Sequence, residues 1–154
     1  MSDKQEDIKQ AAISLFSKRG YDGTTVPLVA KQASVGAGTI YRYFENKEVL
    51  LNVIMQDEMF RLEQSLKAQF PAEKSIREQF NHLFFGLIQY SQENYDSMML
   101  INLHTTSRHI SDKTKCDYTS FLTFISNIVE EGREQESLTR TCLLKRLWRL
   151  FLEL

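Results

Sequence analysis

Apolar side chains recur at three- and four-residue steps along almost the whole chain, the period of α-helices that turn one face inward. Between Lys4 and Lys18 the stripe is Ile8, Ala11, Ala12, Leu15 and Phe16, and Arg19-Gly20 ends it with a basic residue and a glycine suited to a left-handed cap. Thr24-Thr25 offers a hydroxyl cap to a second, short helix through Leu28, Val29 and Ala30 to about residue 33, with Pro27 tolerated in its first turn. After a turn at residues 34–36, where Gly36 supplies backbone freedom, a third helix is predicted over 37–43. Asn46 then caps a long fourth helix through Val49, Leu50, Val53 and Ile54. The spacing is that of a helix-turn-helix.

Beyond Pro71, the run Ser75-Ile76-Arg77-Glu78 reads as a capping box opening a helix through Phe80, Leu83, Phe84, Leu87, Ile88 and Tyr90. A further helix is predicted near 97–106. Residues 107–116 are polar and predict a loop, after which Tyr118, Phe121, Leu122, Ile125, Ile128 and Val129 resume the helical period up to Gly132. A last helix is predicted from about Thr139 to Leu154; it stops without a capping signal, which reads as a chain that continues further. The expected fold class is all-α, with a three-helix module over residues 1–48 resting directly on a helical body over 49–154.

Composition narrows the partners. The 154 residues carry a formal net charge of −1, so any binding to nucleic acid rests on a local patch and not on an overall field. The first fifty residues hold seven Lys or Arg against six acids, a balance too small to argue from. Cys116 and Cys142 form no CxxC pair and are too few to staple a secreted fold, so free thiols in a reducing cytoplasm are expected. The start, MSDKQEDIKQ, is charged where a signal peptide needs apolar residues, and no apolar run approaches ~20 residues, so a soluble cytoplasmic protein without a membrane partner is expected.

The stretch from Ala33 to Glu48 carries the chemistry. Gly36, Ala37 and Gly38 let backbone approach a phosphate or a neighbour, Thr39 offers a methyl to thymine and a hydroxyl to a base edge, and Arg42 can fork onto guanine. Tyr41, Tyr43 and Lys47 fit phosphate contacts that set register, and Thr25, at a helix start, can present its hydroxyl to another phosphate. Phe44 reads as core; Tyr43 fits either core or phosphate. Because one such module covers only a few base pairs, selective binding to a duplex operator requires two of them about one turn apart (~34 Å) or a multiple of it, hence a homodimer.

These residues resemble the TetR family of transcriptional regulators. The resemblance rests on Ala11-Ala12, Leu15-Phe16, Gly20-Tyr21, Thr24-Thr25, Val29-Ala30, Ala33, Val35, Gly38-Thr39-Ile40-Tyr41, Tyr43-Phe44, Lys47-Glu48 and Leu50-Leu51, and covers roughly the first third of the chain. Many members have Gly where this chain has Ser34, and Ser or Thr where it has Gly36. The resemblance implies a helix-turn-helix DNA-binding domain whose contact positions fall on Thr25, Gly38, Thr39, Tyr41, Tyr43 and Lys47. It also implies a helical effector-binding and dimerisation domain, and regulation, most often repression, through an inducer pocket and a four-helix dimer interface.

Candidate lining for a small apolar or aromatic effector is Phe60, Phe84, Tyr90, Met98, Met99, Phe121 and Phe124, of which many serve as plain core. Leu143, Leu147, Trp148, Leu150 and Phe151, with Leu144 and Leu154, form an apolar set too large for one surface helix and read as a dimer seam or as a face packed against further chain. Arg140, Lys145, Arg146 and Arg149 read as its solvated flanks in preference to a membrane-binding face. Glu78 and His82 share a helix face, but with His104 and His109 they make no metal-ligand pattern, so no metal and no cofactor are expected. Neither a GxSxG elbow nor a phosphate loop is present, and no enzyme is expected. The alternative reading is a helical ligand-binding or protein-interaction domain without promoter-specific DNA binding.

Overall fold

The computed structural model describes residues 4–134, and the regular structure of these residues is entirely helical. Helix α1 (Lys4–Arg19) buries Ile8, Ala12 and Phe16 completely. It ends at Gly20, whose φ of +67° is the left-handed cap, and whose N–H donates to the Phe16 carbonyl at 3.0 Å. Helix α2 (Val26–Gln32) starts on Thr25, whose hydroxyl oxygen accepts from Leu28 N at 3.4 Å, with Pro27 in the first turn. Thr24, fully buried, instead donates to the Gly20 carbonyl at 2.8 Å and ties the α1–α2 loop to the end of α1.

The turn into α3 (Ala37–Tyr43) corrects one expectation. Ser34 N donates to Lys31 O at 3.2 Å and Val35 N to Ala30 O at 2.9 Å, a Schellman closure in which Ser34 itself takes the left-handed conformation with φ 54°. Gly36 is the N-cap of α3 in extended geometry, φ −71° and ψ 146°, so its conformational freedom is not used. The residue that many family members replace with glycine is thus the strained one here.

Helix α4 (Lys47–Lys67) opens on Asn46, whose Oδ1 accepts from Val49 N at 2.9 Å, and runs unbroken from the three-helix head into the body. Leu50, Leu51, Ile54 and Met55 along it are completely buried, each large apolar side chain contributing about 1.5–3 kcal/mol. Helix α5 (Ile76–Glu93) begins with the expected Ser75–Glu78 capping box. It packs so closely on α4 that a Cβ on Gly86 would lie 3.0 Å from Leu66 Cδ2. Helix α6 (Tyr95–His104) starts and stops two residues earlier than the sequence pattern predicts.

Helix α7 (Asp112–Glu134) contains the last five residues of the polar stretch expected to be a loop. The Ser111 hydroxyl caps it, accepting from Thr114 N at 3.2 Å, and Thr114 is held from α4 by Asn52 and Gln56 at 3.1 and 2.9 Å. Hydrogen bonds to a distant helix, invisible in local polarity, set that start. The predicted last helix over 139–154 and the dimer-seam residues Leu143, Leu147, Trp148, Leu150 and Phe151 lie outside the described residues.

Helix α1 is the girder between head and body, packing on α2 and α3 on one side and on α4 and α6 on the other. Two ion pairs cross from α1 to α4, Lys9–Asp57 at 2.7 Å and Arg61–Glu6 at 3.4 Å. All four side chains keep some solvent contact, so each pair adds about 0–1 kcal/mol and acts chiefly on register. At the other end of α1, Lys18 pairs with Asp96 of α6 at 3.2 Å.

Candidate nucleic-acid interface and effector body

Helix α3 divides its side chains cleanly. Ile40 and, just past the helix end, Phe44 point into the head with 1% and 2% of their surface exposed, whereas Tyr41 and Tyr43 leave 56% and 44% in solvent. Gly36, Ala37, Gly38 and Arg42 are exposed and Thr39 is half-buried, while Thr25 is exposed at the start of α2. Tyr43, open to either role in the sequence, lies on the surface with its ring 6.4 Å from Phe44. The head therefore gathers Thr25 and the row from Gly36 to Tyr43 without committing most of their side chains to the core.

The two glycines of that row have no internal reason to be small. A Cβ on Gly38 would meet nothing within 4 Å, and one on Gly36 only Thr39 Oγ1 at 3.9 Å. Neither has a positive φ. Their smallness leaves a patch of backbone bare toward solvent.

Lys47 carries internal contacts that the sequence reading of it as a phosphate contact does not include. Its ammonium donates to the carbonyls of Tyr21 at 2.8 Å and Thr24 at 2.9 Å, and lies 3.8 Å over the Tyr21 ring. Two of its three N–H groups close the α1–α2 loop onto the first turn of α4, and one remains. No local signal announces this, because the partners lie 26 and 23 residues away. The sequence also gave no sign of Tyr21, Asn52 and His109 as contacts between head and body. Tyr21 stacks on His109 at 3.7 Å, and Asn52 Nδ2 donates to the His109 carbonyl at 2.8 Å.

In the body, the seven effector candidates do not converge on one cavity. Phe60, 61% exposed, and buried Phe121 share a groove of about 400 Å³ between α4 and α7, with Gln56, Asp57, Met59, Glu63, Asp117 and Ser120. Phe84 stacks on Phe80, and Phe124 meets Phe70 edge-on at 5.5 Å. Tyr90 and Met98 belong to the core, and Met99 is half-buried.

Two polar atoms stand out in this interior: the Tyr90 hydroxyl and Asn102 Oδ1 are buried and reach no hydrogen-bond partner among the described residues. Burial pushes the Tyr90 phenol up to about 12, the nearby Glu58 carboxylate adds to the rise, and Arg61 opposes it. Glu58 is itself buried, its carboxylate held by Arg61 at 3.1 Å.

Comparison with known proteins agrees with this division of labour. Residues 8–54 match the model of the bacterial regulatory proteins of the tetR family, and residues 55–143 match the tetracyclin repressor-like C-terminal domain. The chain belongs to the TetR family. The junction of the two matched regions falls inside α4, so this TetR-family regulator has no linker between reading head and body.

Among its relatives, the HTH-type transcriptional regulator YhgD of Bacillus subtilis strain 168 is 26% identical over 132 residues, 84% of this chain and 69% of YhgD. The fatty acid metabolism regulator protein of the same organism is 27% identical over 133 residues, 84% of this chain and 68% of that protein. In fold, the chain is similar to the transcriptional regulator FadR from Bacillus subtilis, solved in complex with stearoyl-CoA, with a TM-score of 0.68 at 19% identity, covering 95% of this chain and 80% of that one.

Two histidines of this TetR-family chain make internal backbone contacts. His82 Nε2 lies 3.1 Å from the Leu66 carbonyl and its ring meets Phe70 edge-on. His104 Nε2 lies 3.4 Å from the Phe16 carbonyl. Among the described residues no three His, Cys, Asp or Glu side chains gather as metal ligands, and no helix is long and apolar enough to cross a membrane.

Proposed function

We propose that this regulator is a repressor that sits as a homodimer on a palindromic operator and leaves it when an apolar effector enters the helical body. The observation that carries the reading is the two-faced α3: Ile40 and Phe44 anchor it, while Gly36, Gly38, Tyr41 and Arg42 stay exposed on a short helix whose own fold does not require them there. On a duplex, Thr39 and Arg42 address base edges, and Tyr41 and Tyr43 hold phosphates. The Thr25 oxygen caps α2 with a lone pair and keeps its O–H to donate to a phosphate, and the third Lys47 N–H reaches another. The bare backbone at residues 36–38 lets the duplex come close. The head ends near residue 48, and residues 49–154 bind effector and dimerise.

The effector class follows from the interior and from the relatives. Phe80, Leu83, Leu87, Leu100 and Ile101 make that interior apolar, and the unpartnered Tyr90 hydroxyl and Asn102 oxygen offer hydrogen bonds to a polar group on an otherwise greasy ligand. A long acyl chain with a polar head is such a ligand, and the FadR neighbour was solved with stearoyl-CoA. The regulation is a population shift: an effector that favours a dimer with altered head spacing lowers operator affinity by its differential binding energy, and a coupling of about 1–3 kcal/mol changes occupancy several-fold or more.

Selection of bound duplexes from a random pool tests the operator reading: enrichment of an inverted repeat supports it, and no enrichment at moderate salt rejects it. Release of the selected operator by stearoyl-CoA, and not by free coenzyme A, supports the acyl class.

A further inference from the structure

The loop between α6 and α7, residues 105–111, reaches from the body to the base of the reading head. Its His109 ring lies on the Tyr21 ring with centroids 3.7 Å apart and planes 19° apart. Lys47 Nζ stands 3.8 Å from the same Tyr21 centroid. A ring and an ammonium that close to one centroid cannot share a face, so Tyr21 is held between His109 of the body and Lys47 of α4. The loop bearing His109 is in turn fixed to α4: Asn52 Nδ2 donates to the His109 carbonyl at 2.8 Å, and Ser111 N donates to Asn52 Oδ1 at 2.8 Å. Arg108 Nε donates to His109 Nε2 at 3.4 Å, and His109 Nδ1 lies 3.7 Å from a Glu48 carboxylate oxygen.

These contacts lie at a mechanically sensitive place. The ion pairs from Lys9 and Glu6 hold the first half of α1 to α4, whereas Tyr21 begins the loop that leads into α2 and α3. At 1.5 Å per residue, Lys9 and Arg19 are about 15 Å apart along α1. Lys18–Asp96 at 3.2 Å and packing on α6 hold the far end of α1 as well, so what is left to fix is the loop that carries α2 and α3. His104 braces α1 itself at Phe16, while the α1–α2 loop is held from α4 by Lys47 and from the α6–α7 loop by His109.

We propose that the His109–Tyr21 stack is a positioning strut that fixes the angle of the reading head against the body, and so sets which half-site separation the dimer accepts. The proposal rests on the operator reading above. His109 touches no residue of the exposed α3 row in these contacts, so its effect is on spacing and not on base preference or phosphate count.

The test uses the full-length homodimer and the operator selected by the wild-type protein, with derivatives that have one base pair added or removed at the centre of symmetry. The wild type is expected to prefer the native spacing by about tenfold or more, because one added or removed base pair turns one half-site by about a tenth of a helical turn relative to the other. His109→Ala is expected to cut that preference to about threefold or less while the slope of log affinity against log salt stays unchanged. His109→Phe, which keeps a flat ring on Tyr21, is expected to restore the preference. Asn52→Ala, which frees the loop without touching either ring, is expected to fall between.

A His109→Ala dimer that keeps the wild-type spacing ratio overturns the strut and leaves the operator reading intact. Equal loss at all spacings, with no rescue by Phe, marks His109 as merely structural and also overturns it. A wild-type protein that selects no duplex brings down the operator reading and the strut together.

Discussion

Lys47 stands with its ammonium 3.8 Å from the centre of the Tyr21 ring and donates to the carbonyl of that same residue at 2.8 Å. A third contact, to the Thr24 carbonyl at 2.9 Å, completes a clamp between the α1–α2 loop and the first turn of α4. Removing the side chain takes the Lys47 donor from both carbonyls and the ammonium from the ring face, although the Tyr21 carbonyl still accepts from Thr24 N at 3.2 Å. Lys47→Ala is therefore expected to destabilise the protein by about 1–3 kcal/mol in urea unfolding. A variant within about 0.5 kcal/mol of wild type, the usual range of an innocuous surface change, shows that the clamp holds nothing.

Tyr41 and Arg42 give the opposite expectation, because both are exposed on α3. Alanine at either position should leave stability within about 0.5 kcal/mol. Tyr41→Ala should weaken all duplexes alike and leave the salt slope unchanged, because a neutral phenol releases no counterion. Arg42→Ala should instead relax selection at one base position, costing about 1–3 kcal/mol against the preferred base. Variants that bind and discriminate as wild type does remove both residues from the interface.

His104 makes stability depend on pH near neutrality. Burial holds its pKa below the ordinary 6.5, the Phe16 carbonyl opposes that shift, and neighbouring His109 adds slightly to it. The unfolded chain then takes up the proton before the folded chain does. The contribution is fully present above pH 6.5 and is lost as pH falls through 6.5 toward the lower folded value. Denaturant unfolding at pH 7.5 and 5.5 should show a drop in the wild type that is smaller in His104→Gln. Equal drops in the two proteins refute the assignment, since His82 and His109 are common to both.

Tyr90 couples stability to response. Its buried hydroxyl has no partner among the described residues, so Tyr90→Phe removes an unmet polar group and should raise stability by up to about 1–3 kcal/mol. If that hydroxyl is also where an acyl effector's polar head is received, the same variant should need several-fold more effector to leave its operator. A gain in stability with an unchanged response separates the two roles and takes Tyr90 out of the effector site.

What could be read from the sequence was what is decided locally. The caps at Thr25, Asn46 and Ser75 are bonds to backbone three residues on, and the inward stripe of α1 is a matter of spacing alone. The start of α7 was hidden because Thr114 is recruited by Asn52, 62 residues earlier, in a stretch with no apolar signal of its own. Lys47 and His109 look like ordinary surface residues until the fold brings each against Tyr21. The exposure of the α3 row was legible for a different reason: Ile40 and Phe44 take the inward positions of a short helix, and its period leaves Tyr41, Arg42 and Tyr43 outside. The scattered fate of the effector candidates shows the reverse, since Phe, Tyr and Met fill a core and line a pocket with equal ease.

Gly38 puts that last point to its strictest test. It lies inside α3, where alanine is favoured over glycine by about 1 kcal/mol, and a Cβ there would meet nothing within 4 Å. Considered alone, the fold should accept Gly38→Ala and become more stable by up to about 1 kcal/mol. If the backbone at residues 36–38 approaches the duplex closely, the new methyl occupies the space the phosphates or bases need. Operator affinity should then drop by tenfold or more, about 1.4 kcal/mol at the least. Gains in unfolding free energy and losses in mobility-shift affinity from one methyl group cannot both come from damage to the head. Unchanged operator binding in a stabilised Gly38→Ala protein means that the start of α3 does not face the groove, and the recognition surface must then be sought elsewhere on the head.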